Sequence, residues 1–127
     1  MMPEAEFEQL VDRVRAIVAR FPEVTERASH SAPSFFVREK KTLANVWNHH
    51  HDDGRVAIWA AAGAGVQAEL VELEPERFFV PPYVGHRGWL GVRLDVAPDW
   101  DEIAKILEDA YRLVAPKTLI KQLDEAQ

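Results

Sequence analysis

The sequence predicts an α+β fold: an antiparallel β-sheet with helices packed on one face. Three observations predict it. Residues 4–20 and 99–115 repeat apolar side chains at helical spacing. Between them lie short runs rich in β-branched and aromatic residues, bounded by Gly, Pro and Asp. The resulting order of helix, hairpins, short helix, hairpin and two helices gives strands that pair with their neighbours in sequence.

The first helix spans about Glu4 to Arg20, with Phe7, Leu10, Val11, Val14, Ile17, Val18 and Phe21 on one stripe, and Pro22 stops it. Val24–Ser29 reads as a short strand. Ser34–Arg38 and Thr42–Asn48 read as a hairpin joined through Glu39-Lys40-Lys41; Phe35 and Val37 share a face, as do Ala44 and Val46. His49–Arg55 is a turn carrying the hairpin signal Asp53-Gly54. Val56–Ala61 is apolar on both sides, which places it centrally in the sheet. Gly63-Ala64-Gly65 breaks that strand, and a short helix follows over about Val66 to Glu74. Two extended segments, Phe78–Val80 and Trp89–Val96, flank a corner of Pro81, Pro82, Gly85 and Gly88. In the second, Leu90, Val92, Leu94 and Val96 alternate with Trp89, Gly91, Arg93 and Asp95. Asp99 caps the next helix, with Glu102 at capping-box spacing and Ile103, Ile106, Leu107, Ala110 and Val114 along one side. Pro116 opens a last helix holding Leu119, Ile120 and Leu123.

A chain of 127 residues is the size of one domain, here 1–127, and 47% hydrophobic residues exclude disorder as its bulk state. Without cysteine there are no disulfides, thiolate nucleophiles or cysteine zinc sites, which fits a reducing cytoplasm. No apolar run approaches the roughly 18 residues of a membrane span, and the acidic N-terminus does not resemble a signal peptide. The expected location is cytoplasmic, with no membrane partner. The net charge of -6 opposes dense phosphate contact. That charge is unevenly spread: residues 77–93 hold three arginines and no acid. An acidic protein can therefore still present one basic face.

Four constellations are chemically suggestive. In Asn48-His49-His50-His51-Asp52-Asp53, the residues His49, His51 and Asp53 share a side if extended and are the candidate metal ligands. A solvated polar loop is the alternative, and no metal or other cofactor is expected. Gly63-Ala64-Gly65-Val66-Gln67-Ala68 matches G-x-G-x-x-A, yet the parallel strand and acidic residue of a dinucleotide site are missing, so it reads as a helix-entry turn. Ser29-His30-Ser31 and Ser34 offer hydroxyls beside an imidazole, with no nucleophile elbow and no orienting acid. The fourth set, Arg38, Lys40, Lys41, Arg87, Trp89 and Arg93, pairs cations with an indole. Cations on phosphate and stacking on Trp89 would suit nucleic acid or a nucleotide. The competing reading buries Trp89 and pairs the arginines with acids.

Several blocks carry a family resemblance: Phe21-Pro22-Glu23-Val24, Ala32-Pro33-Ser34-Phe35-Phe36-Val37-Arg38 and Lys40-Lys41-Thr42-Leu43-Ala44. Pro75–Gly85, Arg87-Gly88-Trp89-Leu90-Gly91-Val92 and Asp109–Lys117 continue it. Through them the chain resembles the MmcQ/YjbR-like family, small bacterial domains commonly labelled DNA-binding. The resemblance implies an α+β arrangement similar to the frataxin-like fold, sometimes described as a double-wing module. The family's usual glycine before the lysine is replaced here, Glu39-Lys40 preceding Lys41. DNA is the partner the resemblance implies. The alternatives are a protein partner at an apolar groove near Phe78, Tyr83 and Trp89, or a small anion at Arg87 and Arg93. An enzymatic role is not expected.

Overall fold

The computed structural model describes residues 2–127. A first helix, α1 (Glu4–Val18), buries Phe7, Val11, Val14 and Val18, the stripe its spacing requires. Six strands follow: β1 (Val24–Ser29), β2 (Ala32–Val37), β3 (Lys41–Asn48), β4 (Val56–Ala60), β5 (Phe78–Phe79) and β6 (Leu90–Arg93). They form one antiparallel sheet in the order β1-β2-β3-β4-β6-β5. A short helix, α2 (Val66–Leu73), separates β4 from β5, and α3 (Trp100–Val114) and α4 (Lys117–Ala126) complete the chain. β4 is buried along its whole length, as a central strand must be.

The helices pack on one face. Arg15 of α1 pairs with Glu26 of β1, and the backbone of Met2 exchanges hydrogen bonds of 3.1 and 2.9 Å with the Asn48 amide of β3. Those contacts identify the helix side, and alternation then puts Phe35, Ala44, Val46, Ile58, Leu90 and Val92 there. Asp99 caps α3 by accepting from the N–H groups of Asp101 and Glu102. At the other end of α3, the hydroxyl of the buried Tyr111 donates to the Pro22 carbonyl at 2.8 Å. Arg112 joins α3 to α4 through Asp124 at 2.7 Å.

Several boundaries differ from those the sequence predicts, for local reasons. The β2–β3 turn falls at Arg38-Glu39, both left-handed (φ 51 and 59°), so Lys41 already belongs to β3. His30-Ser31 makes the β1–β2 turn the same way (φ 52 and 68°). The β1–β2 connection is a two-residue turn of the kind that matches strand twist, Lys40 adds a third residue between β2 and β3, and both are built without glycine. A bulge pairs Phe35 with Ala44 but Phe36 with Thr42, which leaves Leu43 unpaired, and Leu43 and Ala44 are both buried. The strand expected over Trp89–Val96 ends at Arg93, and the one expected over Phe78–Val80 is two residues long. Among the described residues, no helix is long and apolar enough to cross a membrane.

Candidate functional site

With the helices on one side, the opposite sheet face is left to its own side chains. Cross-strand register puts Arg27, Ser34, Asn45, Trp59, Gly91 and Phe79 in one row across all six strands. Trp47, Ala57 and Arg93 form the row beside it. Neither row contains a carboxylate. Ser34, Ala57, Trp59, Phe79 and Gly91 are buried in these rows, Asn45, Trp47 and Arg93 are half-buried and Arg27 is exposed, so the face offers a ligand its cations rather than its inner rings.

The arginines here lie flat on aromatic rings. Arg27 stacks 3.6 Å from the Phe36 centroid and donates to the Glu39 carbonyl, with no carboxylate partner among the described residues. Arg55 stacks 4.1 Å from Phe79 and only reaches Asp53 at 4.0 Å. Stacking holds the guanidinium in place while its edge N–H groups stay available. Arg93 is different. It makes two hydrogen bonds to Asp95, at 2.9 and 3.0 Å, which hold it protonated more firmly than usual. Burial pushes the Asp95 carboxyl up, but Arg93 and the Val56 N–H outweigh burial, and its pKa ends below the ordinary carboxylate value.

Between β3 and the 80–88 loop lies an aromatic cluster. Trp47 and Trp59 sit 4.6 Å apart, and His50 packs edge-on against both, at 4.5 and 4.8 Å. His51 stacks on His50 at 4.0 Å, and Tyr83, 70% exposed, closes the far side at 5.9 Å. These residues line one arm of a cleft of about 860 Å³ that continues round the β1–β2 turn to Glu4 and Phe7 on the helix side. Trp59 is only 3% exposed, and the indole N–H groups of Trp47 and Trp59 are buried without an acceptor. Asn45 gives its amide N–H to Ser34 Oγ at 2.7 Å. Burial, then the neighbouring His51, lowers the His50 pKa, so its imidazole is neutral at pH 7. The segment bearing it is strained: His49, His51 and Asp52 are all left-handed, with φ of 62, 45 and 59°.

The residues singled out by sequence do not form one patch. Arg38 pairs with Glu23 at 3.3 Å. Lys40 and Lys41 are exposed, with no carboxylate within 4.0 Å among the described residues. Lys41 and Trp47 lie at opposite ends of β3, about 20 Å apart at about 3.3 Å per residue, and Arg93 shares the Trp47 end. Trp89 is 5% exposed and belongs to the core, with Arg87 over its ring at 5.4 Å, so the indole expected to stack on a ligand is inaccessible. The groove expected near Phe78, Tyr83 and Trp89 is filled for the same reason, since Phe78 is buried too.

The histidine loop does not converge on a metal position. His49 Nδ1 accepts from the Gly54 N–H at 2.8 Å, its Nε2 faces Asp52 at 3.2 Å, and Asp53 accepts from the Arg55 N–H. Among the described residues, no group of three or more His, Cys, Asp or Glu is placed to hold a metal ion. Gly65, at φ 85°, turns the chain into the eight-residue α2, and the all-antiparallel sheet has no dinucleotide-type crossover. Ser34 Oγ is buried and spent on the Ala32 carbonyl and Asn45.

Sequence reasoning missed Arg27, Asn45, Trp47, Arg55 and Trp59. Asn45 and Trp47 were legible as the alternates of Ala44 and Val46. Trp59 was hidden because β4 is apolar on both faces.

A family model described as YjbR matches residues 19–113. No curated protein matches the chain. Among solved structures it is similar to the Deinococcus radiodurans protein DR2400, whose crystal structure carries a DUF419 domain. The TM-score is 0.70 at 18% sequence identity, over 90% of this chain and 87% of that one. At that identity the likeness is one of fold.

Proposed function

The chain belongs to the YjbR family, and from that premise we propose that it is a nucleic-acid-binding module whose open sheet face takes unpaired bases. The observation that carries the reading is the pair of carboxylate-free rows, Arg27 to Phe79 and Trp47 to Arg93, on the face without helices. Splayed bases stack on guanidinium planes as well as on aromatic rings; with Trp59 and Phe79 buried, the surfaces offered are the outer faces of Arg27 and Arg55, the half-buried Trp47 and the exposed Tyr83. Phosphates would be met by Arg27 and Arg55, with Arg38 and Lys40 reaching a strand that continues past the Arg38-Glu39 turn, whereas Lys41, opposite Val37, lies on the helix side. A duplex fits less well, because it hides the rings of its bases and rewards dense positive charge. DNA is the partner the family label favours.

Fluorescence anisotropy of labelled single-stranded and duplex DNA across a salt series tests this. Single strands should bind more tightly. With three or four phosphate contacts, log K should fall against log salt with a slope of about 2–3. Absence of binding at tens of micromolar protein across the series, or a preference for duplex, overturns the proposal. A small uncharged nucleoside is the second reading: the cleft of about 860 Å³ lies within the usual size of ligand sites, and Glu4, Glu8 and Glu26 on its lining disfavour a phosphate there.

A further inference from the structure

The tryptophan pair carries the reading further. Buried indole N–H groups almost always find an acceptor, and here two adjacent ones, on Trp47 and Trp59, have none. Both residues line the cleft, and what covers them is His50, a neutral ring packed edge-on against both indoles and held by the left-handed His49, His51 and Asp52. We propose that His50 is a displaceable plug, and that the position it fills is a site for a nucleobase-type planar heterocycle. Such a ring presents acceptor atoms to the Trp47 and Trp59 N–H groups and its face to Tyr83. Two unpaired donors on rings 4.6 Å apart select a heterocycle that carries acceptor atoms over a purely hydrocarbon ring, which would leave both N–H groups unpaired. Displacing His50 also lets the 49–52 segment relax from its left-handed backbone.

This inference rests on the nucleic-acid reading for where the base comes from: it is held within a single strand or arrives as a free nucleoside. The two sources share one chemistry, and the test separates them. The chain has four tryptophans, so an ¹H–¹⁵N spectrum shows four indole N–H signals, assigned by single Trp→Phe variants. The intact protein is titrated with each of the common nucleosides to millimolar concentration, then with a short single-stranded oligonucleotide. The Trp47 and Trp59 signals should move downfield together while those of Trp89 and Trp100 stay in place. Trp47→Phe keeps a ring but removes a donor, and should weaken binding about three- to tenfold. His50→Ala removes the plug and should tighten binding at least about threefold, the reverse of what loss of a contact residue does. If nucleosides move the two indoles but the oligonucleotide does not bind, the base site stands and the nucleic-acid reading falls. If the oligonucleotide binds without moving them, or His50→Ala weakens binding, the base site falls. No movement with either probe also overturns it, and because the unmodified protein is used, a folding defect in a variant cannot mask that result.

Discussion

Gly91→Ala tests whether the sheet face opposite the helices is open. Gly91 sits between Trp59 and Phe79 in the transverse row, and the Phe79 ring lies over it. A Cβ at position 91 would stand 2.6 Å from Cε2 and Cζ of that ring and 2.7 Å from Cδ2, about 1 Å inside ordinary carbon contact. The backbone at Gly91 is not left-handed, so the clash with the ring is the whole difficulty. On an open face the ring can tilt or swing outward. A tilt costs about 2 kcal/mol, the middle of the range for overpacking. A full swing forfeits about 1.5–3 kcal/mol of phenylalanine burial and about 0.5–1 kcal/mol of Arg55 stacking. Replacing glycine inside a strand returns about 0.5–1 kcal/mol. The net expectation is a loss of about 1–3 kcal/mol, or about 4–12 °C in Tm for a domain of this size. Urea denaturation followed by far-UV circular dichroism measures it. A change below about 0.5 kcal/mol would mean the ring does not rest on Gly91. A loss beyond about 4 kcal/mol would mean something rigid covers Phe79, and the open-face argument would fail with it.

Two further perturbations follow from the same geometry. Glu39→Gly puts glycine where the β2–β3 turn already has φ 59°, and it keeps the carbonyl that Arg27 uses. Relief of the left-handed backbone outweighs the added freedom of the unfolded chain, so Tm should rise by about 2–4 °C; a fall would show that the Glu39 side chain contributes more than its backbone loses. Asp95→Asn addresses pH. The folded Asp95 pKa lies below its unfolded value, so its contribution is full above the unfolded value of about 3.9 and fades as pH falls through the folded one. Urea midpoints taken from about pH 7 down to about pH 3 should therefore fall less steeply for the variant, which starts lower at neutral pH. Parallel curves would show that the Arg93–Asp95 pair is not linked to folding.

Elements governed by local rules were legible in the sequence. The stripe of α1, the Asp99 cap of α3 and the alternation of Leu90 and Val92 each follow from spacing within one element. The candidate site was not, because it depends on which strands become neighbours. Trp89 and Arg93 do share the parity of the open face, as alternation implies. What the sequence could not show is that Trp89 would be buried while Trp47 and Trp59, from strands joined through the His49–Arg55 connection, would meet at 4.6 Å. The three histidines misled for a related reason. As a loop tip they look solvated, yet His50 turns back onto the indoles because its neighbours accept left-handed backbone. The glycine that the resemblance leads one to expect before the lysine fits the backbone, since Glu39 occupies a position whose φ favours glycine.

The acidic helices bear on how strongly the net charge of -6 opposes a polyanion. Arg15 offsets Glu8 and Asp12 beside Glu26, while the outward carboxylates of α3, such as Asp101 and Asp109, lie on the side of that helix away from the sheet and so beyond both layers from the open face. With layers packed about 10 Å apart, those charges stand more than about 10 Å from a phosphate lying on Arg27 or Arg55. The Debye length is about 8 Å at 0.15 M salt but about 30 Å at 0.01 M. Repulsion from the helix side is therefore largely screened near physiological ionic strength and felt in full at very low salt. The arginines touching the phosphates respond the opposite way, weakening as salt rises. Log K plotted against log salt should then flatten toward the low-salt end while keeping its slope of about 2–3 above it. A strand bound on the helix side would meet those carboxylates directly and would show no such flattening relative to its cation contacts.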